Sequence, residues 1–289
     1  MNFLTRLVPR VVNLSYFCVE KLFRIFEDRR LSRAGHLSLI PNSLERRGGT
    51  ITYVEWGYTI GWISALISKN APKSKFKMLD VGCGIGRVYI ASLPQRADGS
   101  EYVGIDVMER DIKYCKNKYR NDSTAAFFHL NVANSSYAPG QPEELKPWEF
   151  ESDSFDLVTA ISVWTHLKEN DSRYYLKEVR RVLRKGGRAI ITFFVLDDVY
   201  FASVPERADV KSVFYPEKQT RWIFDTPAYG SMDWLTLNWV TTPEWAIGIR
   251  SAAFEQMIEE CGLRVVEWHR GSFREQRGLY FQDILIFEA

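Results

Sequence analysis

Charge of one sign is what this chain lacks: 38 Lys and Arg stand against 36 Asp and Glu, a formal net charge of +2 over 289 residues. Domains that grip nucleic acid usually carry a clear basic excess, so the balance points away from nucleic acid and toward a small or neutral acceptor. Cysteine is scarce as well. Cys18, Cys83, Cys115 and Cys261 are scattered without C-x-x-C spacing, which gives neither a zinc site nor a disulfide framework and suits reduced thiols in a cytoplasmic setting. There is no run of 18 or more apolar residues, no internal repeat and no low-complexity tract, so nothing in the sequence spans a bilayer as a helix. What is present is 46% apolar content, enough to bury a full α/β core with residues left for elaborations.

Glycine, by contrast, is concentrated. In "KMLDVGCGIGRVYI", residues 77–90, an apolar run too short for a helix meets Gly82, Gly84 and Gly86, and a helical pattern restarts beyond them. A strand, a turn without side chains and a helix N-terminus make a cradle for a cofactor. The dinucleotide fingerprint G-x-G-x-x-G wants a small residue where this chain has Arg87, and the lysine and hydroxyl of a phosphate-binding P-loop are missing. Asp80, read as facing the cradle from the strand's end, suits a cationic ligand and repels a pyrophosphate.

"LDVGCGIGR" resembles the first motif of class I S-adenosylmethionine-dependent methyltransferases, and the later landmarks of that family follow in order. "EYVGIDV" reads as a strand ending in Asp106, 20 residues beyond Gly86, where the family places an acid on the ribose hydroxyls. "AAFFHLNV" ends near Asn131, where relatives commonly carry Asp against the adenine amino group; an amide oxygen still accepts. "SFDLVTAISVWTHL", "YLKEVRRVLRKGGRAIITFF", "AAFEQMIEECGLRVVEWHRG" and "LYFQDILIFEA" resemble the remaining strands and helices, so the likeness covers 55–196 and 251–289. Gly186 and Gly187 read as a helix stop and turn.

The resemblance implies an α/β, Rossmann-like fold with a seven-stranded, mostly parallel sheet and helices on both faces. It implies S-adenosyl-L-methionine as cofactor, with Asp80, Gly82, Cys83, Gly84 and Gly86 at its amino-acid end. Asp106 and Val107 then meet the ribose, Asn131 and Val132 the adenine, and Ser162 the exit of the fourth strand. No metal is expected.

Two segments lie outside the likeness. Residues 1–50 read as an N-terminal helical extension before a methyltransferase domain at 51–289, with the polar turn "ERRGGT" at the boundary. From Pro9, Val11, Val12, Val19, Leu22, Phe23, Ile25 and Phe26 share one broad helical face, while Arg10, Glu20, Lys21 and Arg24 gather opposite. That face suits packing on the domain or a homodimer partner, or peripheral contact with a membrane surface. A cleaved signal peptide is not expected, because Pro9, Arg10 and Asn13 interrupt the apolar region.

The second segment, 197–250, interrupts the pattern after the fifth strand with ten aromatic residues. It leaves from a strand's carboxyl end, where open α/β sheets bind ligands, and is expected to cap the acceptor around Trp234 and Trp239. Its aromatics suit either an acceptor wall or a satellite core. For a hydroxyl acceptor the proton needs a base. His166 in "SVWTHL" leads, with Asp197 and Asp198 as alternatives; adjacent carboxylates could hold a divalent ion, but companion ligands are not evident.

The D/N-P-P-aromatic signature of nucleobase amino methylation is absent, as is a cysteine near the fourth strand. Oxygen methylation of a small molecule or glycan remains, and the "SVWTHL" and "LRKGGRAIITFF" wording resembles bacterial enzymes of envelope and polysaccharide metabolism. The alternative is a non-catalytic or regulatory cofactor-binding module beside a membrane-linked partner, which cofactor turnover separates from an enzyme.

Overall fold

The computed structural model describes residues 3–27, 30, 33–46, 52–132, 140 and 145–289, with side chains of the first helix described from Leu14 onward. The glycines of the expected "ERRGGT" turn and much of the proline-rich 134–150 stretch lie outside the described residues, as do the side chains of Arg10, Val11 and Val12.

Seven strands form the main sheet. These are β1 (Lys77–Val81), β2 (Glu101–Asp106), β3 (Ala125–His129), β4 (Phe155–Ala160), β5 (Leu183–Phe193), β10 (Arg264–His269) and β11 (Asp283–Glu288), and they lie in the order β10-β11-β5-β4-β1-β2-β3. Pairing is parallel except at β11, which runs antiparallel to β5 and β10. In β1, Met78 through Val81 are all buried, the mark of a central strand covered on both faces. The strand order reverses between β1 and β4, so the loops leaving these two strands open a crevice at the carboxyl edge.

Helices cover both faces. On one side α2 (Tyr53–Asn70) and α3 (Arg87–Ser92) pack with Met78, Tyr102 and Ile190, joined by Cys115 of α4 (Glu109–Lys118). On the other, α5 (Glu169–Val182) and α7 (Ser251–Cys261) pack on Leu79, Val158 and Ile191. Local signals set their limits: Thr52 and Glu55 form a reciprocal capping box ahead of α2, and Gly262 ends α7 in the left-handed region. Gly186 and Gly187 do not precede a strand. They sit within β5, where the register to β4 slips between Leu183 and Arg188, and an added Cβ on Gly187 would meet the Arg184 carbonyl at 2.9 Å. The pair forms a bulge in place of the expected turn.

The insertion builds a second sheet. β6 (Val195–Leu196) continues from β5 and pairs in parallel with β9 (Ile247–Arg250), followed by β8 (Trp234–Leu237) and β7 (Phe224–Pro227); α6 (Asp198–Ser203) lies between β6 and β7. A buried ionic cluster fastens this sheet to the first. The Asp283 carboxylate, fully buried, accepts from the backbone N–H groups of Val195 and Gly271 at 2.9 and 2.8 Å and from the Arg274 guanidinium. Arg274, itself fully buried, also donates to the Val195 carbonyl at 2.6 Å and to Asp197 at 3.2 Å.

Removing one partner of such a pair strands a buried charge at a cost of about 3–5 kcal/mol. Arg274→Ala is therefore expected to lower unfolding free energy by about that amount in urea titrations. Burial already raises the Asp283 carboxyl above its ordinary value, the Arg274 guanidinium opposing the rise. Without Arg274 the folded-state value climbs further, so stability is lost as pH rises, and the deficit should be larger at pH 8 than at pH 5.

Candidate active site

The crevice opens into a cavity of about 1000 Å³, at the top of the range for ligand sites. Its floor is the loop after β1. Gly82 and Cys83 donate their N–H groups to the Ile105 carbonyl at 2.8 and 3.0 Å, folding the loop over the end of β2. Gly82 has φ +70° and an added Cβ would lie 2.4 Å from Val163 Cγ2, so the exit of β4 can close against the loop only because a side chain is missing. Gly86, at φ +92°, makes room for a different neighbour, the Tyr119 ring, and is not on the cavity wall. Gly84 faces open space.

Asp106 stands over this loop. Its Oδ2 accepts from Gly84 N–H and its Oδ1 from Met108 N–H, both at 2.7 Å. A carboxylate oxygen has a second lone pair, so each can also take a hydroxyl of a cis-diol. Burial raises the Asp106 carboxyl, opposed by those two backbone bonds. Beyond it, Val107, Leu130, Val132 and Trp148 supply an apolar wall that fits a purine. Leu130 and Trp148 were not among the residues expected from the sequence.

Several expected residues sit elsewhere. Asp80 is fully buried on the side of β1 that also carries Met78, accepting from Tyr102 Oη at 2.5 Å and Thr159 Oγ1 at 2.8 Å, and it does not line the cavity. Burial pushes its carboxyl up to about 7, against the pull of those two hydrogen bonds. Asn131 is exposed between two wall residues and is not itself on the wall. Asp197 caps α6 through Tyr200 N–H at 2.9 Å and ion-pairs with Arg270 and Arg274, which outweigh its burial and hold its carboxyl below the usual range. Asp198 is exposed in the first turn of α6. Neither aspartate lines the cavity, and a carboxylate held by two guanidiniums is a poor base.

Cys83, Ser162 and His166 do reach the wall. Ser162 has φ +58°, uncommon outside glycine. Its N–H donates to Thr192 Oγ1 at 2.7 Å and its Oγ to Gln282 Oε1 at 2.9 Å, which brings Gln282 to the wall as well. His166 Nδ1 donates to the Glu244 carbonyl at 2.8 Å. Burial lowers its pKa, opposed by backbone hydrogen bonds at Glu244 and Trp245.

The insertion divides its aromatics between two tasks. Trp234, Tyr200 and Phe224 are core residues, and Trp239 packs on the satellite core without lining the cavity. The wall is made by Phe214, Tyr215, Trp222 and Trp245, so the aromatic face lies there and not at Trp234 and Trp239. Arg87 also lines the cavity, stacked 4.6 Å over the Trp56 ring, with an Nε that has no hydrogen-bond partner among the described residues. A cation held this way can receive an anionic group.

A glycine loop at a switch point, an acid at the end of the next strand and an apolar purine wall define a nucleoside-cofactor site on a Rossmann-like sheet. Residues 79–191 match the family described as "Methyltransferase domain". The chain is 26% identical over 224 residues to an mRNA cap guanine-N(7) methyltransferase of Cryptococcus neoformans, across 74% of this chain and 30% of that protein. It is 30% identical over 122 residues to a ubiquinone biosynthesis O-methyltransferase of Pelagibacter ubique, across 42% of each. The chain thus spans less than half the length of either relative. A solved S-adenosylmethionine-dependent methyltransferase from Mesorhizobium loti shares the fold, with TM-score 0.52 and 13% identity over 79% of this chain and 96% of that one. Residues 79–191 thus carry a methyltransferase domain, on the fold of the class I S-adenosylmethionine-dependent enzymes.

The site fits that cofactor: Asp106 has lone pairs for a diol, Gly84 leaves open space, and Arg87 Nε awaits an acceptor. Asp106→Ala removes charge-assisted hydrogen bonds of about 1.5–3 kcal/mol each, so calorimetry should show S-adenosylhomocysteine affinity falling at least about tenfold, with Asn131→Ala unchanged. Burial pushes the Asp80 carboxyl up to about 7 and a bound sulfonium favours its charged form, so binding releases a proton below that pH. S-adenosylmethionine should bind more tightly at pH 8 than at pH 6, and Asp80→Asn should flatten the profile.

Proposed function

We propose that the protein transfers the methyl group of S-adenosylmethionine to a hydroxyl of a small molecule or of a sugar in a glycan. The observation that carries this reading is that one cavity is lined both by Gly84 and Asp106 and by His166, Trp222 and Trp245. Bound, the cofactor supplies a methyl group already activated by its sulfonium. The chain's share is to align the acceptor and to exclude water, which can account for much of the rate. Phe214, Tyr215, Trp222 and Trp245 form broad faces on which a ring can lie.

His166 supplies the proton acceptor. Donation from Nδ1 to the Glu244 carbonyl fixes the tautomer whose Nε2 can accept. Because burial lowers the pKa, the ring is neutral at pH 7 and ready to take a proton from a hydroxyl. The O-methyltransferase relative is consistent with that chemistry. The chain's small net charge favours a small acceptor over the RNA cap of the other relative.

Labelled cofactor, incubated with the protein and with lysate fractions separated into glycans, lipids and small metabolites, should leave label in one fraction. With that acceptor in hand, His166→Ala is expected to lower turnover by roughly 10²–10⁴-fold while S-adenosylhomocysteine affinity stays within error. Trp245→Ala should raise the acceptor KM and likewise spare the cofactor. Full turnover in the His166 variant would refute the hydroxyl reading and favour an acceptor that needs no proton removed, such as a ring nitrogen.

A further inference from the structure

From Leu14 onward, helix α1 (Phe3–Glu27) is turned the wrong way out for a helix of a globular protein. The polar face of this half looks inward. Glu20 is buried in an ion pair with Arg46, whose side chain is fully buried and whose Nη1 also donates to the Pro41 carbonyl at 2.9 Å. Arg24 donates to the Ser38 carbonyl at 2.9 Å and lies 5.4 Å from the centre of the Tyr53 ring. The apolar face looks outward: Leu14, Val19, Leu22, Phe23, Ile25 and Phe26 are 47–65% exposed. Residues 19, 22, 23 and 26 recur at the spacing of one helical stripe.

We infer that this stripe docks on the surface of an anionic lipid bilayer. The choice of occupant rests on charge. Residues 1–33 hold seven Lys and Arg against three Asp and Glu, whereas the remainder holds 31 against 33. Of the two acids in the helix, Glu20 is turned inward against Arg46 and Glu27 is half-buried, while Lys21, Arg30 and Arg33 are exposed. A second copy seated on the stripe would bring two basic flanks together; anionic headgroups neutralise them. No helix among the described residues is long and apolar enough to cross a membrane, so the contact is peripheral.

The placement also sets what the bilayer would meet. Arg24 and Tyr16 bear on Tyr53 at the start of α2, and the same end of α2 exposes Val54 and Tyr58, the latter on the wall of the large cavity. Phe17 borders a smaller cavity of about 240 Å³ that shares Ile85 and Asp111 with the large one. Docking through α1 therefore brings the cofactor loop's end of the domain toward the lipid, whatever the acceptor is.

The test is sedimentation of the full chain with vesicles of phosphatidylcholine alone or mixed equally with phosphatidylglycerol. Binding to the mixed vesicles, weaker in high salt and absent from pure phosphatidylcholine, is expected. Leu22→Glu with Phe26→Glu, on the exposed face and so without effect on thermal unfolding, should reduce partitioning at least tenfold. Lys21→Gln, Arg30→Gln and Arg33→Gln should each lower it about fivefold, the loss for one basic residue near an anionic surface. Failure to bind mixed vesicles, or binding indifferent to the Leu22 and Phe26 changes, overturns the inference. So does a stable dimer in analytical ultracentrifugation that the same changes dissociate.

Discussion

The Asp283 carboxylate must be neutralised without water, and much of the arrangement above β5 follows from how that is done. Two backbone N–H groups and one guanidinium reach it, and these come from the start of β6 and from the connection between β10 and β11. The same guanidinium touches Asp197 at the N-terminus of α6. One buried cation thus fixes where the chain turns out of the main sheet and into the second. The second sheet can then present Trp222 and Trp245 to the crevice at a set distance from the glycine loop.

A steric constraint acts on the opposite side. The absence of a side chain at Gly82 lets Val163 sit against the loop, which draws Ser162 and His166 to the crevice. Ser162 is held in its uncommon backbone conformation by a strand β5 hydroxyl and by the amide of Gln282, next in the chain to Asp283. The ionic cluster and the close approach meet at one residue step. The glycine-loop floor and the exit of β4 are therefore coupled through β11, not independently placed.

The order of strands, the glycine loop and Asp106 were legible in the sequence because each follows a local rule: apolar runs, positive φ and a carboxylate ending a strand. Asp80 was misplaced by ignoring strand alternation, since a residue between Leu79 and Val81, both on one core face, must point to the other. Asp197 looked like a free acid because its cations lie 73 and 77 residues away. Counting tryptophans could not separate Trp245 from Trp234; that required the pairing of Trp234 with Ile249 in a sheet whose register has no sequence signature. Periodicity found both faces of α1 but left open which of them meets the domain. The Glu20–Arg46 pair, closed across 26 residues, turns the polar one inward.

The hydrogen bond from His166 to the Glu244 carbonyl crosses from the exit of β4 to the insertion. The imidazole is oriented by the chamber's own roof. The orientation of the ring and the burial that lowers its pKa thus both depend on the turn at Pro243–Trp245: a change there that moved the Glu244 carbonyl would alter the imidazole's tautomer and protonation without touching the exit of β4 itself.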